Sequence, residues 1–250
     1  MEKIIAHIIK NKIPCYFLSP HLDDAVLSAG GLISSLSGNT SVTVVNIFTT
    51  AGEKSTLSAK KSIQKAGFSD PKKYYKERVL EDSLVMKKMQ VKVRNLGIAE
   101  ALWRNKYSVS TISKLLGKFV PEALTIYPTY RFHIIGENMS SHDLKTVSLI
   151  LKKLSFIEKD AYVFAPLAVG QHVDHVVAFN VAEHFKNTIY WSDFPYNIID
   201  LGFAGKGKKH IFRTNWKAKE GLLKMYKTQF NLLFPSGKMP KKNEVFFSNI

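Results

Sequence analysis

Residues 14–36 read PCYFLSPHLDDAVLSAGGLISSL: an apolar run, a short polar cluster, then a small-residue helical pattern. Pro14 to Ser19 is nearly all apolar, as a strand covered on both faces must be, and residues 25 to 37 fit the crossover helix that follows a parallel strand. His21, Asp23 and Asp24 therefore fall at a strand's carboxyl end, where open α/β sheets bind ligands. Residues 165–179, APLAVGQHVDHVVAF, repeat the arrangement, with the strand Ala161 to Ala165 leading to His172 and His175 one helical turn apart. Parallel strands present their carboxyl ends to one edge, so the two clusters are expected to converge there.

Working outward, further short β-branched and aromatic runs predict strands over Val42 to Thr49, Val91 to Leu96, Ala123 to Tyr127 and Thr188 to Trp191. Helical patterns occupy 72–89, 109–119, 141–154, 173–186 and 215–228, with Ser141 placed as an N-cap. Long loops are expected over 50–71, 128–140 and 193–209, the last containing GFAGKGKK. The alternation predicts an α/β fold: a mostly parallel sheet with helices on both faces. No repeat or linker divides the chain, so residues 1–250 are expected to form a single domain.

The 250 residues are 45% hydrophobic, enough for a sizeable core without disulfides. The lone Cys15 lies inside an apolar run and reads as a small buried hydrophobe. The first residues lack the apolar core of an export signal, and the longest uncharged stretch, Ala25 to Gly52, is too rich in Ser, Thr, Gly and Asn to span a membrane. A cytoplasmic protein with no transmembrane segment is the expectation. The formal net charge of +16 favours acidic partners, but its lysines are scattered, as on a solubilising surface. A nucleic-acid partner is not expected, the oligomeric state is open, and peripheral membrane contact remains open.

Within the first cluster, His21 and Asp24 are three residues apart and share one side of the turn, while Asp23 points elsewhere. Helix capping would explain one carboxylate, not two plus a histidine. A lone HxxH is weak, since Asp174 could simply cap its helix, but the two clusters together offer two imidazoles and one carboxylate. That set leaves open positions on zinc or another divalent transition metal, as a catalytic site requires. A free carboxylate beside it can act as general base toward water attacking a carbonyl, and Asp23 fits. The extra histidine, His172, suits oxyanion stabilisation or protonation of a leaving amine.

SPHLDD followed by HVDH resembles the LmbE-like or PIG-L family of zinc-dependent de-N-acetylases. KERVLEDSLVMKKMQV (76–91) looks like that family's helix with an arginine three residues before a glutamate, here Arg78 and Glu81. PLAVGQHVDH, IYWSDFPY and KMYKTQFNLLF extend the likeness over nearly the whole chain. The resemblance implies a Rossmann-like α/β sheet in which His21, Asp24 and His175 bind zinc, Asp23 is the general base, and His172 supports the oxyanion or leaving group. It implies substrate contacts from Arg78 and, on a looser match, Glu100. The family's substrates include N-acetylglucosaminyl phosphatidylinositol and N-acetylglucosaminyl thiol precursors, so the implied partner is a small amino-sugar conjugate, anionic in some members. Two departures stand out. Leu22 and Val173 replace frequent prolines, and Gly170 stands where some members carry a tyrosine that Tyr196 or Tyr130 could replace.

His7, His133, His142, His184 and His210 have no metal-like spacing partner. Trp103 with Arg104, and Phe194 to Tyr196, fit either sugar stacking or loop anchoring. Lys54, Lys60 and Lys61 fit a solvated surface better than a phosphate site. Two alternatives to an N-acyl amino-sugar hydrolase are a basic protein that binds nucleic acid or anionic glycan around a non-catalytic metal, and the same metal centre acting on another amide or ester.

Overall fold

The computed structural model describes residues 1–136, 139–199 and 207–248. It opens with helix α1 (Glu2–Lys10), whose apolar face buries Ile8, and enters β1 (Cys15–Ser19). Helix α2 (Asp24–Leu36) leads to β2 (Val42–Thr50), and two helices follow, α3 (Leu57–Lys65) and α4 (Pro71–Met89). Each has a polar cap at its start: Thr56 accepts from the Ala59 amide, and Asp70 accepts from Lys72 ahead of Pro71. Then come β3 (Lys92–Ala99), the short α5 (Thr111–Leu116), α6 (Asp143–Lys153), β4 (Tyr162–Pro166), α7 (Val173–Ala182) and β5 (Thr188–Trp191). The chain closes with α8 (Tyr196–Ile199), β6 (Lys208–Phe212), α9 (Trp216–Leu223), α10 (Lys227–Leu233) and β7 (Glu244–Ser248).

The strands form one seven-stranded sheet in the order β3-β2-β1-β4-β5-β7-β6. The first five are parallel, and β7 and β6 add an antiparallel edge. The expected α/β, mostly parallel architecture is therefore present. Strand order runs outward in opposite directions from β1 and β4, which places the topological switch point at their carboxyl ends. Apolar side chains cover both faces: Phe17, Phe164 and Trp191 pack with α2, α9 and α10 on one, and Leu18, Val45 and Val163 pack with α6 and α7 on the other.

Several expectations are corrected. Ala123 to Tyr127 is not a strand: a 3-10 turn covers Pro121–Ala123, and Thr125 makes only an isolated bridge to Asn105. Its Ile126 and Tyr127 are buried in a separate apolar cluster with α3 and Trp103 instead of joining the sheet. The loop expected over 50–71 contains α3, and the one over 128–140 contains a π-helical turn at Tyr130–Ile134. The helix expected over 215–228 is two helices that break at Lys224 to Tyr226. Ser141 is not the cap of α6, whose first turn starts after His142. Most of GFAGKGKK lies outside the described residues.

Candidate active site and metal centre

The loops after β1 and β4 do converge. The Oδ2 of Asp24 lies 3.0 Å from Nδ1 of His21 and 3.2 Å from Nε2 of His175. The far nitrogen of each ring rests on a second carboxylate: His21 Nε2 is 3.1 Å from Asp174, and His175 Nδ1 is 2.6 Å from Asp193. Asp174 is itself anchored by Arg104, which also pairs with Asp143, and Tyr127 donates to Asp143. Asp174 thus does not cap α7. Its amide is bonded to Nδ1 of His172, which fills the cap position.

This wiring tests whether a metal suits the residues. A neutral imidazole can donate from only one nitrogen, yet each ring faces carboxylate oxygen on both sides. Either both rings are imidazolium, with centroids 5.4 Å apart, or both are neutral and their inner lone pairs converge with Asp24 on a cation. The second arrangement leaves each outer N–H on its own carboxylate and has no like-charge conflict. His21, Asp24 and His175, all with donor atoms close together, fit a divalent cation. The same electrostatics appear in the proton affinities. Burial lowers His175, but Asp24 and Asp193 outweigh it and push it up to about 9. Burial would raise Asp24, yet His175 and His21 hold it well below the usual carboxylate range.

Asp23 and His172 sit on either side. Asp23 is buried and points away from Asp24 to Arg78, whose guanidinium lies 3.3 Å from Asp23 Oδ1 and 2.8 Å from Glu100 Oε1. Burial raises the Asp23 carboxyl, with Arg78 opposing. The His172 ring stands 5.0 Å from that of His21. Burial and then His21 push it down to about 3, so it is neutral. Because a backbone amide can only donate, the bond from the Asp174 amide makes Nδ1 of His172 the acceptor and puts its proton on Nε2. All seven residues singled out in the sequence, His21, Asp23, Asp24, Arg78, Glu100, His172 and His175, therefore gather at one crevice.

Tyr196 and Tyr130 are there too. Tyr196 stands edge-on to His175 with centroids 5.8 Å apart, and Tyr130 lies 6.2 Å from His172. Gly170 has φ +82, and a Cβ on it would come within 2.8 Å of the Tyr196 ring, so Tyr196 fills the space a side chain at 170 would need. Ala168 and Gln171 share positive φ, which makes this loop a strained segment held by its surroundings. Of the residues considered for sugar stacking, Trp103 is buried against Tyr75 with its indole bonded to Ser55, Arg104 pairs with Asp143 and Asp174, and Phe194 lies in the core, which is anchoring. Tyr196 alone among them stands beside the candidate metal ligands. Glu81 faces away from the centre and accepts from the amide and hydroxyl of Thr228.

Asp193 and Asp174 are the residues that sequence reasoning missed. Asp193 lies two positions beyond the end of β5, so the rule that ligands gather at strand carboxyl ends could have found it. Asp174 is marked in the sequence only as a possible helix cap, because its partner His21 is 153 positions away.

The GlcNAc-PI de-N-acetylase family (PIG-L) matches the chain over residues 16–186. No curated protein matches it in sequence. Among solved structures, the zinc-inhibited form of teicoplanin deacetylase is 18% identical, with a TM-score of 0.72 over 94% of this chain and 97% of that one. The A40926 pseudoaglycone deacetylase is 19% identical, with a TM-score of 0.68 over 94% and 96%. The 4-carboxy-2-hydroxymuconate hydratase of Pseudomonas putida KT2440 is 12% identical, with a TM-score of 0.52 over 94% of each chain. These likenesses concern the fold, and the hydratase among them makes clear that the fold alone does not choose the chemistry.

Proposed function

Since the chain belongs to the PIG-L family of GlcNAc-PI de-N-acetylases, we propose that it is a metal-dependent hydrolase that removes an N-acetyl group from an N-acetylglucosamine-type sugar or its conjugate. One observation carries this reading: a single Asp24 oxygen is shared by two carboxylate-backed imidazoles, beside a separate carboxylate held by arginine. Three protein ligands suit a catalytic ion better than a structural one, which takes about four. Zinc is the first choice of metal, because two imidazoles and one carboxylate with open positions are a ligand set that catalytic zinc takes.

A bound cation would supply Lewis acidity toward the acyl carbonyl and the attacking water. His21, Asp24 and His175 would hold it, with Asp174 and Asp193 backing the two rings. Asp23, steadied by Arg78 through one oxygen, takes a proton as the water oxygen bonds to the acyl carbon. The same carboxyl then gives that proton to the nitrogen as the C–N bond breaks, leaving acetic acid and a free amine, between which the second proton of the water equilibrates to give acetate and ammonium. His172 donates from Nε2 to the carbonyl oxygen as negative charge gathers there. Tyr196 stands next to His175 where it can add a second donor, replacing a side chain that Gly170 lacks. Arg78, only 5% exposed, acts chiefly by aiming Asp23, and the more open Glu100 is the better candidate for a sugar hydroxyl.

Acetate release from a panel of N-acetylglucosamine derivatives, compared between wild type and Asp23→Asn, tests the reading. The variant is expected to keep its metal and lose about 10²–10⁴-fold in rate. Wild-type activity in Asp23→Asn would exclude this base.

A further inference from the structure

The surface beside the crevice carries an unusual exposure of large apolar side chains. Phe119 is 84% exposed, Phe132 79%, Ile112 72% and Leu57 69%. Leu57 and Phe132 line one groove, and the segment that carries Ile112 and Phe119 is tied to α3 and the loop before it: Lys54 donates to the Gly117 carbonyl, the Leu57 amide to Glu122, and the Tyr130 amide to Ser58. Between α3 and the π-helical turn runs a groove of about 670 Å³ lined by Leu57, Lys61, Lys65, Tyr130, Phe132 and Leu232. Tyr130, which lines it, is the same residue whose ring meets His172, so the groove opens beside the catalytic crevice.

The charge on this face is mostly positive, with Glu53 an exposed acid beside Lys54. Lys60, Lys61, Lys65, Lys114 and Lys118 are exposed around the apolar residues, and residues 54–65 contain no acid at all. The one acid between 106 and 136, Glu122, is occupied in capping Leu57. Protruding aromatic and aliphatic groups ringed by lysines are what an anionic bilayer takes up: the apolar tips enter the acyl boundary while the ammonium groups meet head-group phosphates. A protein partner would be met by matched polar groups at the rim, and a purely soluble surface rarely bares so much apolar area. We propose that this face docks on the surface of a membrane containing anionic phospholipid, which sets the mouth of the crevice against the bilayer. Among the described residues no helix is long and apolar enough to cross a membrane, so the contact is peripheral.

Co-sedimentation with vesicles of phosphatidylglycerol and phosphatidylcholine, against phosphatidylcholine alone, tests this independently of any catalytic assay. Wild type is expected on the anionic vesicles only, and to leave them as salt rises. Two double variants, Phe119→Ser with Phe132→Ser and Lys61→Ser with Lys65→Ser, are expected to stay folded by circular dichroism and to bind at least about tenfold more weakly. The proposal is overturned if wild type stays in the supernatant, or if the phenylalanine variant sediments like wild type. It is equally overturned if the phenylalanine pair instead abolishes a dimer seen by sedimentation velocity without vesicles, which would make the face a contact between copies of the chain.

Discussion

Asp193 illustrates how much of this centre rests on residues that touch no substrate. Its carboxylate lies 2.6 Å from His175 Nδ1 and also accepts from the Val169 amide, so it fixes both the ring and the loop that leads into α7. Removing the backing carboxylate lets the ring turn and lowers its basicity. Asp193→Ala is therefore expected to weaken metal binding by about 10–100-fold, read by competition with a chromophoric chelator. Unchanged affinity would mean that the loop alone orients His175. At this scale the sequence was legible where chemistry is local. His21 with Asp24, and His172 with His175, declare themselves by spacing at strand ends, whereas Asp174 and Arg104 are meaningful only through a fold that brings residues 70 positions apart into contact.

At the scale of elements, β1, β2, β4 and β5 were legible because strands buried on both faces must be apolar throughout. The edge was not. In β6 the residues Lys208 and Lys209 are exposed, and β7 starts with Glu244, whose charge breaks any strand pattern. That glutamate has a purpose the sequence hides: it accepts from the amides of Gly31 and Leu32 in α2 and pairs with buried Lys219 of α9. A Cβ at Gly31 would lie 2.9 Å from Thr214 Cγ2, so the glycine is what lets α2 approach the edge so closely. Lys219→Ala leaves Glu244 charged, buried and without its cation, and is expected to cost about 3–5 kcal/mol in urea denaturation. A loss below about 1 kcal/mol, the range of exposed pairs, would show that the edge is held by packing alone. Ala123 to Tyr127 failed in the opposite sense: the run is apolar because it is buried, but its cover is the α3 and π-turn layer, not the sheet.

For the whole molecule, the sheet order with its switch point between β1 and β4 explains why motifs in distant parts of the chain form one crevice. Beneath that crevice, Asp82 of α4 ties three regions together, accepting from Asn46 of β2 and from Tyr226 at the break between α9 and α10. Burial raises its carboxyl from 3.8 to about 7, against the hydrogen bonds from Tyr226 and Asn46. A raised carboxyl favours the folded state while it is protonated, so its contribution is full below 3.8 and is lost as pH climbs through about 7. Asp82→Asn is expected to gain stability relative to wild type across that interval, by on the order of a few kcal/mol, and to show a constant difference above it. Parallel thermal melts over the pH series check this, and a difference that does not change with pH would refute the raised pKa.

The proposed hydrolase depends on His21, Asp24 and His175 holding a divalent ion. Metal content of the purified chain, measured before and after zinc reconstitution for wild type and Asp24→Ala, tests it most directly. One ion per wild-type chain and almost none in the variant is the predicted result. A wild type that takes up no ion, or an Asp24→Ala chain that holds as much as wild type, would contradict it.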